Sequence, residues 1–94
     1  MINTVSILGL EYKIHEVSQI SKSELTLGQI DYVKQEILID ASLSEEKKEV
    51  VLLHEIIHGI LEELSFIDIS NNENVVQGLA VALHHIIKSQ TIFS

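Results

Sequence analysis

Apolar and polar residues alternate along the first forty positions and then recur with a helical period, so the chain divides into a strand half and a helix half. Thr4-Val5-Ser6-Ile7-Leu8 reads as a first strand, broken at Gly9. Leu10 to Val17 alternates as a half-buried second strand, with Leu10, Tyr12 and Ile14 on one face and His15 on the other, where it is expected to be exposed. Residues 18–27 are polar and read as a loop with a short turn. Gly28 to Tyr32 and Glu36 to Asp40 predict a hairpin turning at Val33-Lys34-Gln35. Its second strand is the most apolar and leads into the first helix.

That helix is predicted from about residue 44 to 64. Ser42-Leu43-Ser44-Glu45 offers a capping box, and Glu45 and Glu46 complement the positive end of the helix dipole. Val50, Leu53, Ile57, Ile60, Leu61 and Leu64 share one apolar arc. Leu52 and Ile56 fall on the otherwise charged arc and need a second layer, either the N-terminal sheet or a dimer contact. A polar loop is predicted over 65–72. A second helix follows from about 72 to 89, with Val76, Leu79, Leu83, Ile86 and Ile87 on its apolar arc. The expected fold is α+β: a mostly antiparallel β-meander of three or four strands over about 4–40, then two helices packed antiparallel. One domain over 1–94 is expected from the length.

Composition narrows the options. An apolar share of 46% supports a packed core, and with two Tyr, two Phe and no Trp that core must come from Ile, Leu and Val. No cysteine is present, which excludes disulfides and thiol catalysis together. The net charge of −8, from 14 acidic and 6 basic residues, disfavours nucleic-acid and anionic-membrane partners, which need a basic face. It permits a basic partner, and it is also what a solvated acidic surface gives. No apolar run reaches membrane-span length and no signal-peptide pattern opens the chain, so a cytoplasmic protein is expected.

The chemistry lies in His54-Glu55-Ile56-Ile57-His58. On a helix, residues four apart stand only about 40° apart and one turn along, so both imidazoles can reach one ion. Glu55 projects beside them, able to meet a water at that ion without ligating it. This is the layout of a zinc hydrolase: imidazoles hold Zn²⁺ and a carboxylate serves as general base. The bland counterpart is a helix with two solvent-facing histidines and an ordinary glutamate. Against it, His54 and His58 sit beside the apolar arc, where partial enclosure makes imidazole a good ligand.

A zinc hydrolase site needs a third protein ligand and one open position. Glu62 and Glu63 lie on the same helix, about 12 Å of rise beyond His54 in the case of Glu62, and cannot fold back. A resemblance to the metzincin arrangement, HExxHxxGxxH, would imply glycine at 61 and histidine at 64, but both are leucine, so that option fails. Glu73 is the better candidate, because an antiparallel second helix would aim it at the two histidines. Ser70 and Glu73 could instead form a capping box with no metal. His84 lies about 16 Å further along that helix, too far for the same ion. His84 and His85 are therefore expected to be surface or partner-contacting residues.

With these residues in place, the chain resembles the gluzincin zinc peptidases, in which HExxH is followed by a glutamate on the next helix. More closely, it resembles ImmA/IrrE-type metallopeptidase domains and minimal phage-encoded gluzincins. The matching residues are Leu53-His54-Glu55-Ile56-Ile57-His58-Gly59 and Asn74-Val75-Val76-Gln77-Gly78-Leu79-Ala80, with Glu73 just before the second segment. The likeness runs over roughly residues 5–90. It implies His54, His58 and Glu73 as zinc ligands and Glu55 as the catalytic carboxylate. Two departures stand out: Gln77 occupies a position that larger members give to aspartate, and their transition-state histidine and tyrosine have no assigned counterpart.

The expected function is a zinc-dependent endopeptidase acting on a protein or peptide. The resemblance suggests a transcriptional repressor or another bacterial or phage regulator as target, in a bacterial host. The alternative is a zinc-stabilised module that binds and sequesters a regulator without cutting it.

Overall fold

The computed structural model describes residues 1–18, 20 and 26–90, so the loop expected at 18–27 falls largely outside the described residues. Four strands come first: β1 (Thr4–Ile7), β2 (Leu10–Val17), β3 (Gly28–Asp31) and β4 (Glu36–Asp40). Helices α1 (Glu45–Glu63), α2 (Ile67–Ser70) and α3 (Glu73–Ser89) follow. β1 ends one residue before Leu8, because Leu8 and Gly9 both take positive φ (50° and 87°) in the two-residue turn that pairs Ile7 with Leu10. β3 ends at Asp31, whose Oδ1 accepts from the Val33 and Lys34 N–H groups at 3.0 and 2.9 Å and starts the turn early.

The sheet is mostly antiparallel, but its order is β1-β2-β4-β3 rather than that of a meander. β1 and β2 pair antiparallel, as do β3 and β4, while β2 and β4 are parallel, with Ile14 opposite Ile37. Burial explains the placement. Ile37 and Ile39 are wholly enclosed, so β4 takes a central position, and the shorter β3, with Gln29 and Asp31, is left at the edge. The α+β class holds, with the chain crossing from β2 to the far edge before returning.

One face of the sheet packs on α1. Ile7, Tyr12, Ile14, Ile37 and Ile39 meet Val51 and Leu52, with Ile56 and Ile60 against the same cluster. The sheet is therefore the cover that Leu52 and Ile56 required, and no dimer contact is needed there. Lys48 is buried along its stem, and its ammonium reaches Glu16 at 2.6 Å and Glu45 at 3.1 Å, tying the end of β2 to the first turn of α1.

The helix ends decide between the alternatives the sequence left open. Ser44 caps α1, its Oγ accepting from the Lys47 N–H at 3.2 Å, while the Ser42 hydroxyl donates to Asp40 instead. Ser70 does not cap α3. It belongs to α2, a helical turn inside the expected loop, and Asn72 is the cap, accepting from the Val75 N–H at 3.3 Å.

A second, smaller core of Ile57, Val76 and Ala80, with Leu53 and Leu61 against it, joins α1 to α3. The helices run antiparallel, since Glu73 meets His58, Gln77 meets His54 and His84 meets Glu49. His84 is buried, not at the surface as expected: it continues the Val76–Ala80 stripe, and its Nε2 lies 2.9 Å from Glu49 Oε1. His85 and His15 are exposed, as expected. Among the described residues, no helix is long and apolar enough to cross a membrane.

Candidate metal centre

α1 presents His54 and His58 from successive turns, their ring centroids 4.9 Å apart and edge to face. The first residue of α3 completes the group. The Glu73 carboxylate spans the two imidazoles, with Oε2 2.9 Å from His54 Nε2 and Oε1 3.0 Å from His58 Nε2. One ligand atom from each of the three lies within 4.8 Å of the others, so His54, His58 and Glu73 form a group able to hold a metal ion. Structure and sequence agree on this trio.

The remaining ring nitrogens show why a cation fits. Ser70 Oγ donates to Glu62 Oε1 at 3.3 Å, and a carboxylate can only accept. The single Ser70 proton is thereby used, so His58 Nδ1, 2.9 Å from Ser70 Oγ, must be the donor in that contact. His54 Nδ1 likewise faces Gln77 Oε1 at 2.7 Å and donates to it. A neutral imidazole that donates through Nδ1 keeps Nε2 as its lone-pair side, and both Nε2 atoms face the Glu73 carboxylate. In that form the two nitrogens and the carboxylate can converge on one cation. Two nitrogens and one oxygen are a donor set that Zn²⁺ accepts, with a fourth position left over.

Ser70 and Gln77 hold the candidate ligands without belonging to the trio, and Glu62 holds Ser70. Ser70→Ala is expected to weaken metal binding by about 10–100-fold, because the His58 ring loses the partner that fixes its orientation and tautomer. Competition with a chromophoric chelator measures this, and unchanged affinity would remove Ser70 from the role. The sequence disguised Ser70 as a helix cap. Gln77 was legible, standing one turn after Glu73 on the same face.

Glu55 stands outside the trio. It is only 8% exposed, and burial pushes its carboxyl up to about 7, opposed by nearby His54 and reinforced by the Glu73 charge. It forms a wall of two cavities that flank the site. One, of about 310 Å³, is bounded by Ile30, Tyr32, His58 and Glu73; the other, of about 250 Å³, by Leu27, Gly28, His54 and Gln77. β3 or its flanking residues border both, and among the described residues β3 pairs only with β4, leaving its other edge beside the metal group without a strand partner there.

Gly28 makes the close approach of β3 to α1 possible. A Cβ there would collide with Val51 Cγ1 and come within 3.1 Å of Glu55 Oε2. Gly28→Ala is expected to destabilise the fold by about 1–3 kcal/mol through overpacking. A urea midpoint at or above wild type would show that the strand shifts freely.

Tyr32 had no site role in the sequence, where it reads only as a strand end. In the structure it lines the 310 Å³ cavity with Glu55, His58 and Glu73. Burial, and then the Glu62 and Glu55 carboxylates, raise the affinity of its phenol for its proton, so it stays a donor.

No protein-family model, no curated protein and no solved structure shows significant similarity to this chain.

Proposed function

We propose that the chain is a zinc-dependent endopeptidase in which His54, His58 and Glu73 hold the metal and Glu55 is the general base. The observation that supports this most directly is the pairing of the His54–His58–Glu73 group with a buried carboxylate outside it. A purely structural zinc site has no use for such a carboxylate, and it usually takes four protein ligands. When bound, zinc supplies a Lewis acid that polarises the scissile carbonyl and acidifies the attacking water.

The chain's own residues do the rest. Glu55 takes the proton of the attacking water and delivers it to the leaving amine. An extended substrate segment adds to the outer edge of β3 by main-chain hydrogen bonds, which brings its carbonyl past Glu55. Tyr32, on the turn after that strand, donates to the carbonyl oxygen as charge develops there. Tyr32→Phe is expected to lower kcat by about 10²-fold while zinc affinity stays the same. A normal kcat in steady-state assays would exclude the phenol from the reaction.

The substrate is a protein or peptide presented as an extended strand; a transcriptional repressor or another bacterial or phage regulator is the proposed class. The deciding experiment incubates the zinc-loaded protein with an unstructured protein and with a peptide library, read by mass spectrometry. Cleavage that stops with a chelator and returns with zinc supports the peptidase. Zinc-dependent retention of intact peptides, with no new termini, would establish the sequestering module instead.

A further inference from the structure

Helix α3 carries two apolar seams, and only one is used. Val76, Ala80 and His84 are buried against α1. Val75, Leu79, Ala82 and Ile86 form a second seam, spaced four, three and four residues apart, as in the contact line of two packed helices. Val75, Leu79 and Ile86 remain 39–45% exposed, as does Leu83 beside them. We infer that this outer seam of α3 is the interface between two copies of the chain, packed antiparallel about a two-fold axis between Leu79 and Ala82.

Three observations select a second copy as the occupant. The first is spacing. A four-three-four pattern reads the same in both directions, so in an antiparallel pair Val75 meets Ile86 of the copy and Leu79 meets its Ala82. The seam is self-complementary, large against small, as a two-fold interface demands.

The second is charge. Of 14 acidic and 6 basic residues, α3 carries only Glu73 and Lys88, and neither lies on the seam. Two copies that each bear −8 can approach closely only through an uncharged face. A basic partner would find nothing there to pair with.

The third is extent. Val75, Leu79, Leu83 and Ile86, each about two-fifths exposed, give one continuous apolar strip along the length of α3, and large side chains aligned in this way are what a helix-pair interface buries. Glu73 and Gln77 lie about 150° round the helix from the seam, so both metal groups stay open in such a dimer.

Sedimentation of the full chain tests this. The wild type is expected to be dimeric at about 100 µM, and to associate more tightly as salt rises, because salt screens the repulsion and leaves the apolar contact. Leu79→Glu is expected to be monomeric with unchanged helical circular dichroism. Val81→Glu, a half-exposed site off the seam, is expected to stay dimeric. The lack of native cysteine allows a geometric check that does not rely on a disruptive variant. Leu79→Cys mixed with Ala82→Cys is expected to cross-link on oxidation, and neither is expected to do so alone. A monomeric wild type would assign the seam to some other partner and overturn the inference. A dimer that survives Leu79→Glu, or a Leu79→Cys variant that cross-links to itself, would overturn it too.

Discussion

Zinc is expected to raise the unfolding midpoint of this chain by on the order of 15–30 °C, and Glu73→Ala is expected to lose most of that rise. The magnitude follows from linkage. A ligand that binds only the native state stabilises it by about 4 kcal/mol when present at a thousand times its dissociation constant. In a domain of this size each kcal/mol moves the midpoint by about 4–8 °C.

The structure says why the gain falls on α3. The apolar cluster that holds that helix to α1 is small, Ile57, Val76 and Ala80 with Leu53 and Leu61, and polar contacts such as His84–Glu49 supplement it. Directly beside that cluster, both imidazole Nε2 atoms face the Glu73 carboxylate at 2.9 and 3.0 Å. A cation bound by all three would cross-link the helices. With alanine at 73 the remaining two nitrogens lie on one helix and bridge nothing. Acid should erase the effect as well, because protons compete for both Nε2 atoms and zinc affinity falls with pH. Thermal scans of wild type and variant, with and without zinc, read all of this. An equal rise in both proteins would mean that Glu73 does not ligate.

What the sequence revealed and what it hid divide along a physical line. α1 and its His54–Glu55–His58 face were legible because a helical period places side chains by local geometry alone. Glu73 was legible because a short connection makes the next helix antiparallel. The position of β4 was not: strand order depends on which strand buries most, and nothing local to Glu36–Asp40 announces that Ile37 and Ile39 will sit at the centre beside β2. The alternative of a Ser70–Glu73 capping box stayed open because S-x-x-E has the same spelling whether it caps a helix or, as here, belongs to the turn before it. His84 was misread by its polarity: the apolar arc read from the sequence was Val76, Leu79, Leu83, Ile86 and Ile87, whereas the face that is buried is Val76, Ala80 and His84. Tyr32 reaches the site only through the register of the edge hairpin, which a tyrosine at the end of a strand does not reveal.

Glu55→Gln is the variant expected to separate chemistry from binding most sharply. Cleavage should fall by about 10³-fold or more, within the range that a general acid–base group contributes. Zinc affinity should stay within about twofold, because Glu55 lies outside the ligand trio. The same substitution should alter stability in the opposite sense. Burial raises the Glu55 carboxyl from 4.5 to about 7, so the zinc-free native state holds a proton there that the unfolded chain releases sooner. The wild type therefore has its full stability contribution from this group below about 4.5 and loses it as pH rises through about 7. Glutamine keeps the shape and cannot ionise. The zinc-free variant should thus gain on the wild type across that interval, with the two converging in acid. Both outcomes together, stability gained and zinc affinity kept, would be the result expected of a carboxylate that serves the proposed reaction rather than the fold or the metal. If Glu55→Gln were instead to cleave at the wild-type rate, the base would have to be sought elsewhere along the β3 groove.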